Sequence, residues 1–193
     1  MPAVPSVPVG APVWFDLSSS DPAVSRAFYE GLFGWTAHDT PPDFGGYVNF
    51  YKGDAMIAGM TQNPGQGAPD GWTTYLKSDD AAATADAITA AGGTVLFPPT
   101  AVMSDTDDFK YKTLKVDDVD YAGIMDGSAY LPKDVPSAWE VYIGVDDVDA
   151  SVARAVELGG TVLQAAEDAP FGRIAKIADP TGGTIKLSSL SVA

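Results

Sequence analysis

The chain has no cysteine and one histidine, His38. The first absence excludes disulfides, thiolate nucleophiles and Cys-based metal centres, and the second leaves no Ser/His/Asp triad to assemble with assurance. Cationic residues are scarce: 11 Lys and Arg face 26 Asp and Glu across 193 residues, a formal charge of −15. A polyanion needs a basic stripe and none is visible, so no nucleic-acid partner is expected. The acidity reads as a device for solubility. Phosphate loops of the GxxxxGK and GxGxxG types are missing. No apolar run approaches the roughly 20 residues that span a bilayer, so no membrane partner is expected. Residues 1–12, MPAVPSVPVGAP, lack a basic start and an apolar core, and read as a flexible Pro-rich lead-in rather than a signal peptide. The expectation is a soluble, cytoplasmic protein.

What the chain does contain is a repeat. WTTYLKSDDAAATADAITAAGGTVL, from Trp72, aligns without a gap on WEVYIGVDDVDASVARAVELGGTVL, from Trp139. Tyr75 meets Tyr142, the pair Asp79-Asp80 meets Asp146-Asp147, and Gly92-Gly93 meets Gly159-Gly160. A repeated supersecondary unit of this size implies copies that bury their apolar faces on one another.

Three units of β-α-β-β-β type follow from hydrophobic period and turn chemistry. The first spans residues 13–63. It has a strand at Val13–Leu17, a helix capped by Asp21-Pro22 with Val24, Ala27, Phe28 and Leu32 on its apolar face, and an end near Gly34. A strand at Trp35–His38 and a hairpin of Tyr47–Tyr51 and Ala55–Thr61 across Gly53-Asp54 complete it. The second unit spans residues 71–128: a Trp72–Lys77 strand, a helix carrying Ala83, Ala87 and Ile88, a Thr94–Phe97 strand, and a Phe109–Met125 hairpin. Its Asp-rich loop lacks the glycine and terminal glutamate of an EF-hand loop, so a solvated turn is expected there. The third spans residues 138–190, with Val148, Val152, Ala155 and Val156 on one helix face and a final hairpin turned by Asp179-Pro180-Thr181-Gly182.

The stretches DPAVSRAFYEGLFGW and VDDVDASVARAVELGGTV…FGRIAKIADPTGG resemble the vicinal oxygen chelate superfamily, which holds glyoxalases, bleomycin resistance proteins and extradiol dioxygenases. The resemblance covers residues 11–190. It implies an α+β fold of tandem βαβββ units whose curved mixed sheets form a cup. The chain resembles the actinobacterial four-unit, two-domain members, but carries one DPTG hairpin and one FY…LFGW helix where those carry two of each. Its middle unit has a front half like the last unit and a back half like the first, as expected of a hybrid left by an in-phase deletion. Three units leave one without a mate, and a second chain covering it would make a homodimer. Which units pair within the chain, first with second or second with third, stays open.

In metal-dependent members of the superfamily, ligands come from the first and last strands of each unit. The corresponding positions here are Trp14, Thr73, Glu140 and Lys186, with Gln62 and Asp126 marginal. A lysine at one corner opposes a cation's charge, so no metal and no cofactor are expected, the alternative being one divalent ion. Glu140 stands out as a carboxylate opposite Val141, Ile143 and Val145. It is a candidate general base, or else a partner for Lys186. The same parity puts Trp14, Asp16, Thr73, Tyr75, Tyr142, Thr184 and Lys186 on the inner wall, joined by Tyr47 or Tyr111. An aromatic wall with a few polar groups suits a small-molecule ligand, though the aromatics could instead fill the cup. Three functions follow as expectations. The first is a metal-independent small-molecule-binding protein that sequesters an antibiotic or hydrophobic metabolite. The second is a metal-dependent lyase, isomerase or dioxygenase, and the third a vestigial interaction module.

Overall fold

A computed structural model describes residues 9–42, 45–65, 67–95, 138–169 and 172–189. The elements are β1 (Pro12–Ser19), α1 (Pro22–Phe33), β2 (Thr36–Asp39), β3 (Val48–Lys52), β4 (Ala55–Gln62), β5 (Gly71–Leu76) and α2 (Ala81–Ala90). After them come β6 (Tyr142–Gly144), α3 (Val148–Glu157), β7 (Thr161–Ala169), β8 (Gly172–Ala178) and β9 (Thr184–Ser188). One sheet has the order β2-β3-β4-β1-β5 and the other β6-β9-β8-β7. Both are mixed, with β1 parallel to β4 and β6 parallel to β9 while the hairpins run antiparallel. The fold is therefore α+β, and the β-α-β-β-β succession appears both at β1–β4 and at β6–β9.

The chain divides into two compact parts, Met1–Val13 with Tyr75–Met125 and Trp14–Thr74 with Asp126–Ala193. The second of these contains both complete successions around one core. Leu17, Phe28, Tyr29, Phe50 and Met60 from the first meet Val148, Ala155, Ile177, Ile185 and Leu187 from the last. The first and third stretches thus share a core, a pairing that neither option left open by the sequence describes.

Helix α1 starts as its residues dictate. Asp21 accepts a hydrogen bond from the Val24 N–H at 3.2 Å, Pro22 occupies the first turn, and Gly34 ends the helix in the left-handed conformation at φ 62°. Its buried face keeps only part of the expected Val24–Ala27–Phe28–Leu32 stripe: Phe28 is in the core and Leu32 packs against it, but Ala27 is exposed. Ser25, Phe28 and Tyr29 are buried, whereas Val24 is exposed. The cause is polar. Asp179, in the β8–β9 turn, accepts from the Ser25 hydroxyl at 3.2 Å, and Ser25 lies 2.8 Å from Ser19 Oγ, so the helix turns this small polar side inward. Asp179 also accepts from the backbone N–H groups of Thr181 and Gly183, each at 2.9 Å. Helix α3 buries Val148 and Ala155, while Val156 at the end of its expected stripe is exposed. Gly160 follows because nothing larger fits: a Cβ there would stand 2.8 Å from the Ala178 carbonyl and 2.8 Å from the Phe28 ring.

In the other compact part, Asp80 caps α2 by accepting from Ala83 N–H at 2.9 Å. None of its side chains is buried, and nothing packs on Ala83, Ala87 and Ile88 among the described residues. Thr94 and Val95 lie outside any strand, and the rest of the expected Thr94–Phe97 strand and the Phe109–Met125 hairpin fall outside the described residues. Residues 10–12 differ from a flexible lead-in: the Gly10 N–H donates to the Lys77 carbonyl at 2.8 Å, the Lys77 N–H donates to Ala11 at 2.7 Å, and Ala11 is fully buried.

Candidate functional site

The residues assigned to the inner wall gather in two places. On the first sheet the Trp14 indole N–H donates to Asp16 and to the Tyr47 hydroxyl, both at 2.7 Å, and Tyr47 itself donates to Asp16. Strand parity puts Trp14 and Asp16 on one face of β1, and the absence of a side chain at Gly59 lets Tyr47 reach them. A Cβ at Gly59 would lie 1.7 Å from the Tyr47 oxygen.

The second cluster sits on the other sheet. Register places Tyr142 beside Lys186 across β6 and β9, and Lys186 beside Lys176 across β9 and β8. The three side chains form a row across three strands. Glu140, two residues before β6, reaches over this row: Lys176 donates to one carboxylate oxygen, and Lys186 Nζ lies 2.6 Å from the other. Lys186 also donates to the Tyr142 hydroxyl at 3.0 Å, its nitrogen 5.1 Å from the ring centroid. Burial would raise the Glu140 pKa, but the hydrogen bonds and charges of the two lysines outweigh it and hold the carboxylate below its ordinary value. For Lys186, burial pulls the pKa down, and the Glu140 and Tyr142 contacts more than reverse it, so the ammonium is held above its usual range. A carboxylate so placed is a poor proton acceptor.

Beside this row lies a cavity of about 110 Å³, lined by Trp72, Trp139, Glu140, Lys176, Thr184 and Lys186 among others. Trp139 is exposed, whereas Trp72 is half-buried and donates its indole N–H to the Tyr29 hydroxyl at 2.9 Å. Burial first, and then the charge of Asp179, push the Tyr29 pKa well above its ordinary value, so that hydroxyl stays protonated. A wider, open groove of about 700 Å³ is walled by Phe33, Trp35, Ile57, Ile143, Val145 and Arg154 among others. Sequence parity pointed to the first concavity and gave no sign of the second.

Of the inner-wall set, Thr73 and Tyr75 on β5 are exposed, and Tyr111 falls outside the described residues, as does Asp126. Lys176 was missed, although its alternation with the buried Ala175 and Ile177 along β8 is the same signal that found Lys186. The four positions matched to metal ligands do not suit a cation, because both oxygens of the one carboxylate, Glu140, face ammonium groups. Among the described residues no three His, Asp or Glu side chains converge. His38 lies on a strand away from these groups, its ring 4.9 Å from that of Tyr51. Among those residues, too, no helix is long and apolar enough to cross a membrane.

The model of the Glyoxalase/Bleomycin resistance protein/Dioxygenase superfamily matches residues 12–121, and that of a Glyoxalase-like domain matches residues 105–188. The anthracycline biosynthesis protein DnrV of Streptomyces peucetius is 31% identical over an alignment 258 residues long, covering 94% of this chain and 94% of DnrV. The putative glyoxylase CFP32 of Mycobacterium tuberculosis is 34% identical over 115 residues, covering 55% of this chain and 44% of that protein. Among solved structures, TnmS3, an antibiotic binding protein from Streptomyces sp. CB03234, is 18% identical with a TM-score of 0.46, covering 99% of this chain and 100% of that one.

Proposed function

Because the chain belongs to the Glyoxalase/Bleomycin resistance protein/Dioxygenase superfamily, we propose that it is a small-molecule-binding member that holds a flat, hydrophobic metabolite without a metal ion. The observation that carries this is the Trp72–Trp139 cavity beside the Tyr142–Lys186–Lys176 row, which offers stacking faces and ionic groups within one concavity. A cavity of about 110 Å³ accepts only part of a drug-sized ligand, so the remainder lies outside it, over the exposed faces of Trp139 and Tyr142. The relation to proteins of anthracycline biosynthesis supports a polycyclic aromatic as the ligand class. Sequestration, rather than turnover, agrees with the poor basicity of Glu140. The protein acts as a homodimer, a second chain supplying the mate that the middle stretch lacks.

Isothermal titration with an anthracycline in the presence of EDTA tests this. Saturable binding is expected, unchanged by the chelator and weakened about tenfold in Trp139→Ala, the loss of roughly one aromatic stacking contact. Binding that requires an added divalent metal, or no binding at all, would refute the proposal.

A further inference from the structure

Lys176 and Lys186 are directly opposed on neighbouring antiparallel strands, a placement that destabilises a sheet unless something compensates it. Only Glu140 does so among the described residues, and one carboxylate between two ammoniums leaves the row with one positive charge in excess. In a chain with 11 basic residues against 26 acidic ones, two cations lining one small cavity are a costly arrangement to keep for packing alone.

Their protons point the same way. Each ammonium has three N–H donors. Lys176 spends one on Glu140, and Lys186 spends one on Glu140 and one on the Tyr142 hydroxyl, so half of the six are uncommitted among the described contacts. The lysine side chains retain 29% and 16% of their exposure, enough burial for an ion pair formed there to escape much of the screening that weakens surface pairs. Thr184, on the same cavity wall, adds a hydroxyl.

We propose that this row is an anion subsite: the ligand is a flat aromatic carrying an acidic oxygen, a carboxylate or ionised phenol, which sits between Lys176 and Lys186 beside Glu140 while its rings stack on Trp139 and Tyr142. The subsite rests on the small-molecule-binding function, and it adds the acid group as the determinant of specificity. Glu140 acts as a resident counter-ion that keeps the empty site neutralised in part and limits affinity for the incoming anion.

The test uses 2-naphthoate, its neutral isostere 2-naphthamide, and 2-naphthol titrated through its own ionisation, each by isothermal titration against the full chain. The wild type is expected to prefer the acid over the amide by about tenfold, the worth of one charge-assisted hydrogen bond. Lys186→Met should abolish that preference, and Glu140→Gln should enlarge it. Tighter binding of the naphtholate than of the neutral naphthol marks the phenol as the acidic group, and preference confined to the naphthoate marks the carboxylate. Equal affinity for acid and amide in a protein that still binds an anthracycline overturns the anion subsite alone. Failure of every aromatic to bind overturns the small-molecule function with it. Lys186→Met keeps the Lys176–Glu140 pair, and its thermal unfolding separates loss of specificity from loss of fold.

Discussion

At the scale of single residues, Glu140 and Lys186 make opposite contributions to the pH range over which the protein is stable. Glu140 titrates below its ordinary value, so its stabilising effect is present at neutral pH and is lost as pH falls through its folded pKa. Lys186 titrates above its ordinary value of 10.5, so its effect is present below that pH and is lost as pH rises through the folded pKa. Tyr29, also raised, acts in the same sense as Lys186. Glu140→Gln removes the acid-side contribution and leaves the lysines opposed. A fall in Tm of about 3 °C at pH 7 is expected, equivalent to about 1 kcal/mol after allowance for the solvent that reaches this carboxylate. Melting curves followed from pH 7 to pH 3 should show wild type and variant converging once Glu140 is protonated. Curves that stay parallel throughout would mean the carboxylate contributes through packing instead.

Between elements, the decisive contact is the latch of the β8–β9 turn on α1. Asp179 is nearly fully buried and accepts from the backbone N–H groups of Thr181 and Gly183 and from the hydroxyls of Thr181 and Ser25, so its removal takes the acceptor from two backbone N–H groups and two hydroxyls. Asp179→Ala is expected to cost about 3 kcal/mol in urea unfolding, while Asp179→Asn, which keeps an acceptor, should cost about half as much. Equal losses in the two variants would show that the charge, not the hydrogen bonding, holds the turn. This latch also explains which parts of the fold were legible in the sequence. The caps at Asp21, Asp80 and Asp147, the Gly34 stop and the DPTG turn are local chemistry, and they stand where the residues put them. The helix faces are not local. Ser25 looks polar and exposed until Asp179 is brought beside it across the chain, and Ala83, Ala87 and Ile88 look like a core stripe although nothing packs on α2 among the described residues. Strand parity carried Glu140, Tyr142 and Lys186 to one site because alternation is local too. It did not carry Thr73, because the β5 residue that lines the cavity is its neighbour Trp72, at the alternate position of the strand.

At the scale of the whole molecule, the count of units becomes a statement about assembly. The alignment to DnrV runs over 258 residues, 65 more than this chain possesses, so its relative holds at least that many within the aligned span for which there is no counterpart here. That is more than the length of one β-α-β-β-β succession such as residues 12–62. The two family matches both claim residues 105–121, as a segment serving as the tail of one domain and the body of the next would require. The first and last successions already share a core, which leaves the middle stretch as the odd one. Tyr75, Leu76 and Ile88 in that stretch are exposed, and a second copy would cover such apolar side chains. We propose that two chains bring two such stretches together and so restore an even number. Sedimentation equilibrium at micromolar concentration is therefore expected to give a dimer, and Ile88→Asp, at an exposed position on α2, should return a folded monomer with an unchanged Tm for the core of Leu17, Phe28 and Ile177. A wild type that is strictly monomeric would remove the second copy as the cover for this surface and leave the hybrid stretch to be explained by a partner of another kind.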